Sequence, residues 1–320
     1  MKAVVQQSYG FDAIEVAERP IPEPGEGQVR VRMESASLNP ADWYKAAGTP
    51  PFLRLSEGFL RPKLEIIGTD GAGVVDALGP NSGDFEVGDR VFGKFLGSFA
   101  EFATAETERL ARTPDNVSSE SAAGLPIAGV TALQAVEKGE VDGQRVAVNG
   151  ASGGVGAYAV QIAKAMGAAH VTGVCSAANA EMVRSLGADD VIDYKTDNFT
   201  TRDFDVLIDC VATQSAADVR RCLGDEGRWV LIGAVKGEGI LGPVPTLVGL
   251  MLKGIFSKPK PISFIADETA ERLTRLVGLA EQGKLRTVVD RTHSLDESRK
   301  AYDYLGTHRA RGKVIFSIAP

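Results

Sequence analysis

No stretch constrains the fold of this chain more than Arg145-Val-Ala-Val-Asn-Gly-Ala-Ser-Gly-Gly-Val-Gly156 and the residues behind it, Ala157 to Gly167. Val146, Ala147 and Val148 form a short apolar run of the kind that a strand buried on both faces requires. Gly153, Gly154 and Gly156 then remove side chains where the backbone must turn tightly or approach something bulky. Val155, Ala159, Ile162, Ala163 and Met166 recur at helical spacing, and Gly167 supplies a stop. Strand, glycine turn and helix in that order set free amide N–H groups against a pyrophosphate. Against the pattern G-x-G-x-x-G this copy reads Ala151-Ser-Gly153-Gly-Val-Gly156, with alanine at the first glycine. The flanking strand and helix are what give the pattern meaning. Ala151, Ser152, Gly153, Gly154 and Val155 are the expected contacts with a dinucleotide.

At 320 residues the chain is long enough for two domains and a substantial core. Its formal net charge of −7 argues against nucleic acid, which calls for a basic face. The longest apolar candidate for a membrane span, Val244 to Phe256, is interrupted by Pro245, Gly249, Lys253 and Gly254. Cys175, Cys210 and Cys222 are too few and too scattered for a disulfide framework, and they read as small buried side chains. With no charged-then-apolar segment at Met1, the expected location is the cytoplasm.

Strand signals fill the chain up to about Thr113. Gln28 to Glu34 alternates apolar with polar, Ile66 to Val75 is apolar and glycine-laced, and Gly88–Phe92 and Phe99–Ala103 continue the series. This part reads as an antiparallel barrel. Ser118 or Ser119 caps a helical join that Pro126 breaks. From Arg145 strands alternate with helices: strands at His170–Cys175, Asp190–Tyr194, Asp205–Cys210 and Arg228–Gly233, with a helix at Ala180–Leu186. That alternation predicts a doubly wound parallel sheet of Rossmann type. Gly237 to Pro261 is apolar but broken by proline and glycine, and reads as a lid, substrate wall, subunit contact or plain core. Glu268–Glu281 is an amphipathic helix, and Lys313–Ile318 a strand returning to the barrel. The expected domains are residues 1–120 with 263–320, and residues 121–262.

The end of the second strand of such a sheet usually selects the nucleotide, because an acid there holds a ribose diol and repels a 2′-phosphate. Here it reads Val174-Cys-Ser-Ala-Ala-Asn179, with no carboxylate before Glu181. Ser176 and Asn179 can donate to a phosphate, and Tyr194 and Lys195 end the neighbouring strand, so NADPH is expected over NADH. An ordinary helix cap is the other reading of Ser176.

Taken together, Pro20-x-Pro-x-Pro-Gly25, Ser37-Leu-Asn-Pro-Ala-Asp42, Gly68-Thr-Asp-Gly-Ala-Gly73, Val87-Gly-Asp-Arg-Val91, Ala128-Gly-Val-Thr131, the glycine turn and Ala310-Arg-Gly-Lys-Val314 resemble the medium-chain dehydrogenase/reductase superfamily. The likeness covers nearly the whole chain and is to the zinc-free NADPH:quinone oxidoreductase branch, within it the reticulon-interacting-protein-like group. It implies a GroES-like β-barrel domain beside the Rossmann domain and a homodimer joined through the edges of the Rossmann sheets. It also implies that Asn39 and Tyr44 line the substrate cleft, that Thr131 lies near the nicotinamide, and that Gly233, Ala234 and Val235 pass along it. Cys210 and Val211 hold a comparable strand end. Arg311 and Lys313 resemble the family's return to the cofactor. Competing readings stay open: a turn-stabilising asparagine, a half-buried barrel tyrosine, a packed helix threonine, a solvated basic turn.

Zinc members of the family bind their metal with a cysteine where this chain has Asn39 and a histidine where it has Thr69. Neither residue suits a site needing three soft or borderline ligands, so no metal is expected. Without a Lewis acid, easily reduced acceptors are the expected substrates: quinones and α,β-unsaturated carbonyls. Asn39 and Tyr44 are the candidate donors to the oxygen on which charge develops. Two other readings are an enoyl-thioester reductase, which would use Lys45, Arg54, Arg61 and Lys63, and a non-catalytic NADPH-binding regulatory or structural protein.

Overall fold

A computed structural model describes residues 1–233, 249 and 258–318. The chain forms two compact units, one of Met1–Val130 with Asp267–Pro320, the other of Thr131–Ala266.

The first unit is built on antiparallel strands. Strands β1 (Lys2–Gln6) and β2 (Ile14–Glu18) pair with each other. A seven-stranded sheet holds β3 (Gln28–Leu38), β4 (Asp70–Leu78), β5 (Arg90–Lys94), β6 (Phe102–Glu106) and β7 (Leu110–Arg112), joined from the C-terminal part of the chain by β14 (Val289–His293) and β15 (Lys313–Ser317). Its organiser is β3, which pairs antiparallel with β15, β4 and β6. Val29, Val31 and Met33 alternate inward along β3 and pack with Val75, Val91 and Leu110, the period-2 burial that the sequence predicts. Strand β3 runs four residues past the predicted Glu34, to Leu38, because β15 pairs with exactly that extension, Ser35 to Leu38. Two helices follow it, α1 (Pro40–Ala47) and α2 (Leu53–Glu57). At the join, Ser118 Oγ accepts from Ser121 N–H, and Pro126 separates α3 (Ser119–Ala123) from α4 (Pro126–Gly139).

The second unit is a six-stranded, wholly parallel sheet. It contains β8 (Arg145–Asn149), β9 (His170–Cys175), β10 (Asp190–Asp193), β11 (Val206–Asp209), β12 (Arg228–Leu231) and β13 (Pro261–Ile262). The spatial order is β10-β9-β8-β11-β12-β13. That order reverses direction between β8 and β11, the switch point of a doubly wound sheet. Helix α5 (Gly154–Ala165) follows β8, and Gly156 through Ala163 are all buried. Helices α6 (Ala180–Ser185) and α7 (Ala216–Leu223) complete the described helices of eight residues or fewer in this unit. Trp229, Leu207, Phe199 and Val219 form a core on one face of the sheet. Most of the predicted lid or wall, Gly237 to Pro261, lies outside the described residues, as do Ala234 and Val235.

Candidate active site

In the second unit the turn after β8 opens toward solvent at Ser152 through Val155, whereas Ala151 and Gly156 are buried. Gly153 is the N-cap of α5, and no described side chain caps that end. The regular bonding of the helix starts where Ala157 N–H donates to Gly153 C=O, 2.9 Å, so the amides of the first turn point outward without intrahelical partners. The two glycines differ in what they respond to. A Cβ on Gly156 would lie 2.1 Å from the Gly150 carbonyl oxygen, so packing inside the turn requires glycine there. A Cβ on Gly153 would meet only that oxygen, at 3.4 Å, an ordinary contact. Packing among the described residues therefore does not require glycine at 153, and the space a Cβ would fill lies at the uncapped start of α5, a backbone cradle of the kind that can receive an anion.

Around this cradle Asn179 Nδ2 donates to Ser152 Oγ at 3.0 Å. Asn179 Oδ1 is buried with no partner among the described residues, an acceptor in place for a ligand hydroxyl or amide. Ser176 precedes a single 3₁₀ turn and makes no side-chain cap bond, which removes the ordinary-cap reading. Tyr194 is exposed, and its N–H donates to Cys175 C=O. Asp193, unweighed in the sequence, sits in register with Cys175. Burial, with this carboxylate nearby, pushes the Cys175 thiol up to about 11. At the switch point Asp209 Oδ1 accepts from Asn149 Nδ2 (2.9 Å), Val211 N–H (3.1 Å) and Ala212 N–H (2.8 Å). This bond set ties the loop after β11, with Cys210 and Val211, to the end of β8. Cys210 is half-buried, and burial raises its thiol. Gly233 follows β12, where a Cβ would come no closer than 3.7 Å to the Cys210 carbonyl. Thr131 is half-buried within α4.

The first unit holds a group of buried polar side chains that sequence reasoning only partly found. Asn39, 1% exposed, is the N-cap of α1. Its N–H donates to Asp42 Oδ2 (2.9 Å), its Nδ2 to Asp70 Oδ2 (3.0 Å) and the Ser37 carbonyl (3.3 Å). Its Oδ1 accepts from Lys313 Nζ. Thr69 Oγ1 donates to Asp42 Oδ1 at 2.9 Å, and Ile127 N–H to Asp70 Oδ2 at 3.0 Å. Asp42, Thr69, Asp70 and Lys313 are all less than a tenth exposed. Burial dominates their ionisation. It raises Asp42, pushes Asp70 up to about 7 against the pull of Lys313, and lowers Lys313 despite both carboxylates.

This arrangement changes the roles read from the sequence. Both amide hydrogens of Asn39 are taken by protein acceptors, so it has none to offer a developing oxyanion. Lys313 is neither solvated nor on an exposed turn, because its ammonium lies inside this group. Arg311, by contrast, is exposed, and its N–H donates to Asp290 Oδ2 at 3.0 Å. Tyr44 is half-buried edge-on to Trp43, ring centroids 5.3 Å apart, and burial raises its phenol. A cavity of about 130 Å³ opens in the same unit. It is lined by Asp42 and Thr69 together with Lys45, Phe95, Leu96 and Tyr302, and by neither Asn39 nor Tyr44.

Comparison with known proteins assigns both parts of the chain to one superfamily. The alcohol dehydrogenase GroES-like domain family matches residues 25–115, and the zinc-binding dehydrogenase family residues 186–316. The chain is 34% identical to a protein of Triphysaria versicolor named quinone-oxidoreductase QR1, chloroplastic, over 98% of both chains. This chain belongs to the medium-chain dehydrogenase/reductase superfamily, in its quinone oxidoreductase branch. A superfamily relative in Arabidopsis thaliana, named NADPH-dependent alkenal/one oxidoreductase, chloroplastic, is 32% identical over 98% of this chain and 79% of its own. The structure of the quinone oxidoreductase from Coxiella burnetii superposes with a TM-score of 0.84 at 27% identity, covering 100% of this chain and 99% of that one. As the branch predicts, one unit carries a parallel dinucleotide-type sheet and the other a mainly antiparallel one.

The zinc of the superfamily's metal members does not suit the residues present. Asn39 Oδ1 already faces an ammonium, and Thr69 offers a hydroxyl committed to Asp42. Among the described residues no cluster of three His, Cys, Asp or Glu side chains could hold a metal ion. Nor is any helix of the described residues long and apolar enough to cross a membrane.

Proposed function

We propose that the protein is a zinc-independent, NADPH-dependent oxidoreductase that reduces quinones or α,β-unsaturated carbonyls. The observation that carries this reading is the uncapped start of α5 at Gly153, where packing among the described residues does not require glycine. A dinucleotide held there against Gly153 by the amides of Gly154 and Val155, with Ser152 and Asn179 beside it, would supply a hydride. Ser176, free of any cap bond, supports a 2′-phosphate at the end of β9. Tyr194, Val211 and Gly233 follow the C-terminal ends of β10, β11 and β12, the edge of the sheet where such a ligand lies in this fold. The full-length likeness to proteins named for quinone and alkenal/one reduction supports the acceptor class. A cavity of about 130 Å³ is well below the ~300–1,000 Å³ of pockets that enclose a drug-sized ligand, and suits a single small ring.

The residues around the cavity bind a flat acceptor between Phe95, Leu96 and the polar pair Asp42 and Thr69. Tyr44 does not line this cavity; its half-buried phenol on α1, next to the lining residue Lys45, is a donor to an acceptor that extends beyond the cavity mouth. Asn39 and Lys313 hold the start of α1 rather than meeting the substrate. A homodimer formed through an edge of the parallel sheet is part of the proposal, with β13 at one end of that sheet. So is a cytoplasmic location, which three unpaired cysteines suit.

The test is a panel of simple quinones and enones, with loss of reduced nicotinamide absorbance as the readout. NADPH should support turnover and bind at least about tenfold more tightly than NADH, ~1.4 kcal/mol. Tyr44→Phe should lower turnover by roughly 10- to 1000-fold and leave NADPH affinity unchanged. Equal affinity for the two nucleotides would refute the 2′-phosphate assignment, and no turnover across the panel would refute the enzyme.

A further inference from the structure

Thr69 Oγ1 lies 2.9 Å from Asp42 Oδ1, a contact in which the hydroxyl donates to an ionised Asp42 or accepts from a protonated one and is then free to donate into the cavity, which both residues line. A hydroxyl can accept one proton as it donates another, which is the minimum requirement for handing a proton on. Behind Asp42 the charges do not balance. Asp42, Asp70 and Lys313 are buried together, two carboxyl groups with one ammonium. Fully ionised they would leave one negative charge uncompensated away from water, which burial opposes, and one additional proton, shared between the two carboxyl groups, neutralises them. Asp70 Oδ1 and Ser37 Oγ, on register partners of β4 and β3, are buried without partners among the described residues, so no second cation meets the group on that side.

We propose that Asp42 and Thr69 form a proton relay, in which Asp42 stores the proton that the reduction consumes and Thr69 passes it to the substrate oxygen in the cavity. The proposal rests on the reductase reading above and deepens it by naming the source of the proton. As the acceptor gains hydride from the reduced nicotinamide, the electron pair of its carbonyl π bond moves onto oxygen. The Thr69 O–H bond breaks toward that oxygen and forms the product O–H. The Asp42 O–H bond breaks toward Thr69 Oγ1 and restores the hydroxyl. Asp42 is left as a carboxylate and regains a proton from solvent before the next turnover, so the acceptor gains one hydride and one proton.

Every neighbouring element contributes to the state of Asp42. Lys45 comes from its own helix, Lys313 from β15, Asp70 from β4 and Tyr302 from the helix Ser298–Gly306, with the Asn39 N–H and the Thr69 hydroxyl in contact. Burial outweighs the two lysines and the hydrogen bonds, so the acid form persists above the usual carboxylate range. The store empties as pH rises, and kcat should therefore fall on the alkaline side.

The experiment measures kcat against pH, with saturating NADPH and a simple quinone, for the unaltered protein, Thr69→Val and Thr69→Ser. Valine keeps the shape without the hydroxyl, and serine keeps the hydroxyl. Thr69→Val is expected to lose at least tenfold in kcat, to lose the alkaline limb because its proton then comes from solvent, and to keep its KM for NADPH. Thr69→Ser is expected to keep rate and limb. Full activity in Thr69→Val, a limb that survives in it, loss of rate in Thr69→Ser, or no limb in the unaltered protein overturns the relay and leaves the reductase standing. An unaltered protein with no turnover on any acceptor overturns both.

Discussion

The glycine turn of the second unit and the buried charge group of the first both handle charge away from water, by opposite means. The turn uses a few backbone amides at the start of α5, all set within a dozen consecutive residues, and its glycines matter for the side chains they lack. The charge group is built on ionisable side chains brought together from β4, α1 and β15, with the Lys313–Asn39 bond spanning 274 residues. A local backbone device is specified by adjacent residues and can be read from them. A device made of side chains exists only once the sheet has formed, and its energy depends on each member being compensated by the others.

The largest effect should come from removing that compensation. Lys313→Met keeps most of the buried volume but takes the lysine donor from Asn39 Oδ1 and leaves two carboxyl groups without their cation. Breaking a buried ionic group in this way costs about 3–5 kcal/mol. The double variant Lys313→Met/Asp70→Asn should recover part of that loss, and denaturant unfolding checks both. Asp70 also makes the comparison pH-dependent. Its folded value of about 7 lies above the ordinary 3.8, so between the two the folded state binds a proton that the unfolded state releases. The stability it contributes is complete below about pH 4 and is lost as pH rises toward 7. Asp70→Asn should flatten that decline. An equal slope in both proteins would place the proton elsewhere.

Gly156→Ala should cost less, on the order of 1–3 kcal/mol for overpacking, because its Cβ would lie 2.1 Å from the Gly150 carbonyl oxygen. Thermal unfolding of the variant without nucleotide measures this cost. A stability equal to that of the unaltered protein would show that the turn can open, and the contrast with the charge group would then narrow.

These sizes match what could be read in advance. The parallel sheet, its first helix and the glycine turn were legible because hydrophobic period and turn chemistry are local, and β9 runs over His170–Cys175 as its pattern indicates. The motifs around Asp42, Asp70 and Lys313 were visible too, each a single charge set among small or apolar residues. What one-dimensional reading lacks is that β3 carries β4 and β15 on its two sides, which turns three separate charges into one group. Asn39 was singled out for its residue type and its resemblance to a family position. Only the fold shows that its amide hydrogens are spent on Asp70 and Ser37. Asn149 and Asp209 left a fainter signal, a polar residue ending each of two apolar strands.

The smallest effect on stability, and the sharpest probe of the contrast, belongs to Gly153→Ala. Its Cβ would make one ordinary contact at 3.4 Å, and the N-cap backbone is extended, at φ −84° and ψ 177°, which alanine adopts without strain. Alanine is a weaker N-cap than glycine by a modest amount, so unfolding should shift by no more than about 1 kcal/mol. Nucleotide binding should respond differently, because the added methyl enters the space where a pyrophosphate would approach the amides. We expect NADPH affinity to fall by about tenfold or more, ~1.4 kcal/mol, in a protein of near-normal stability. Binding followed by nicotinamide fluorescence, beside thermal unfolding of the same sample, separates the two quantities. Unchanged affinity would mean that the cradle faces no ligand phosphate, and the turn would then be a packing device like the charge group it is contrasted with.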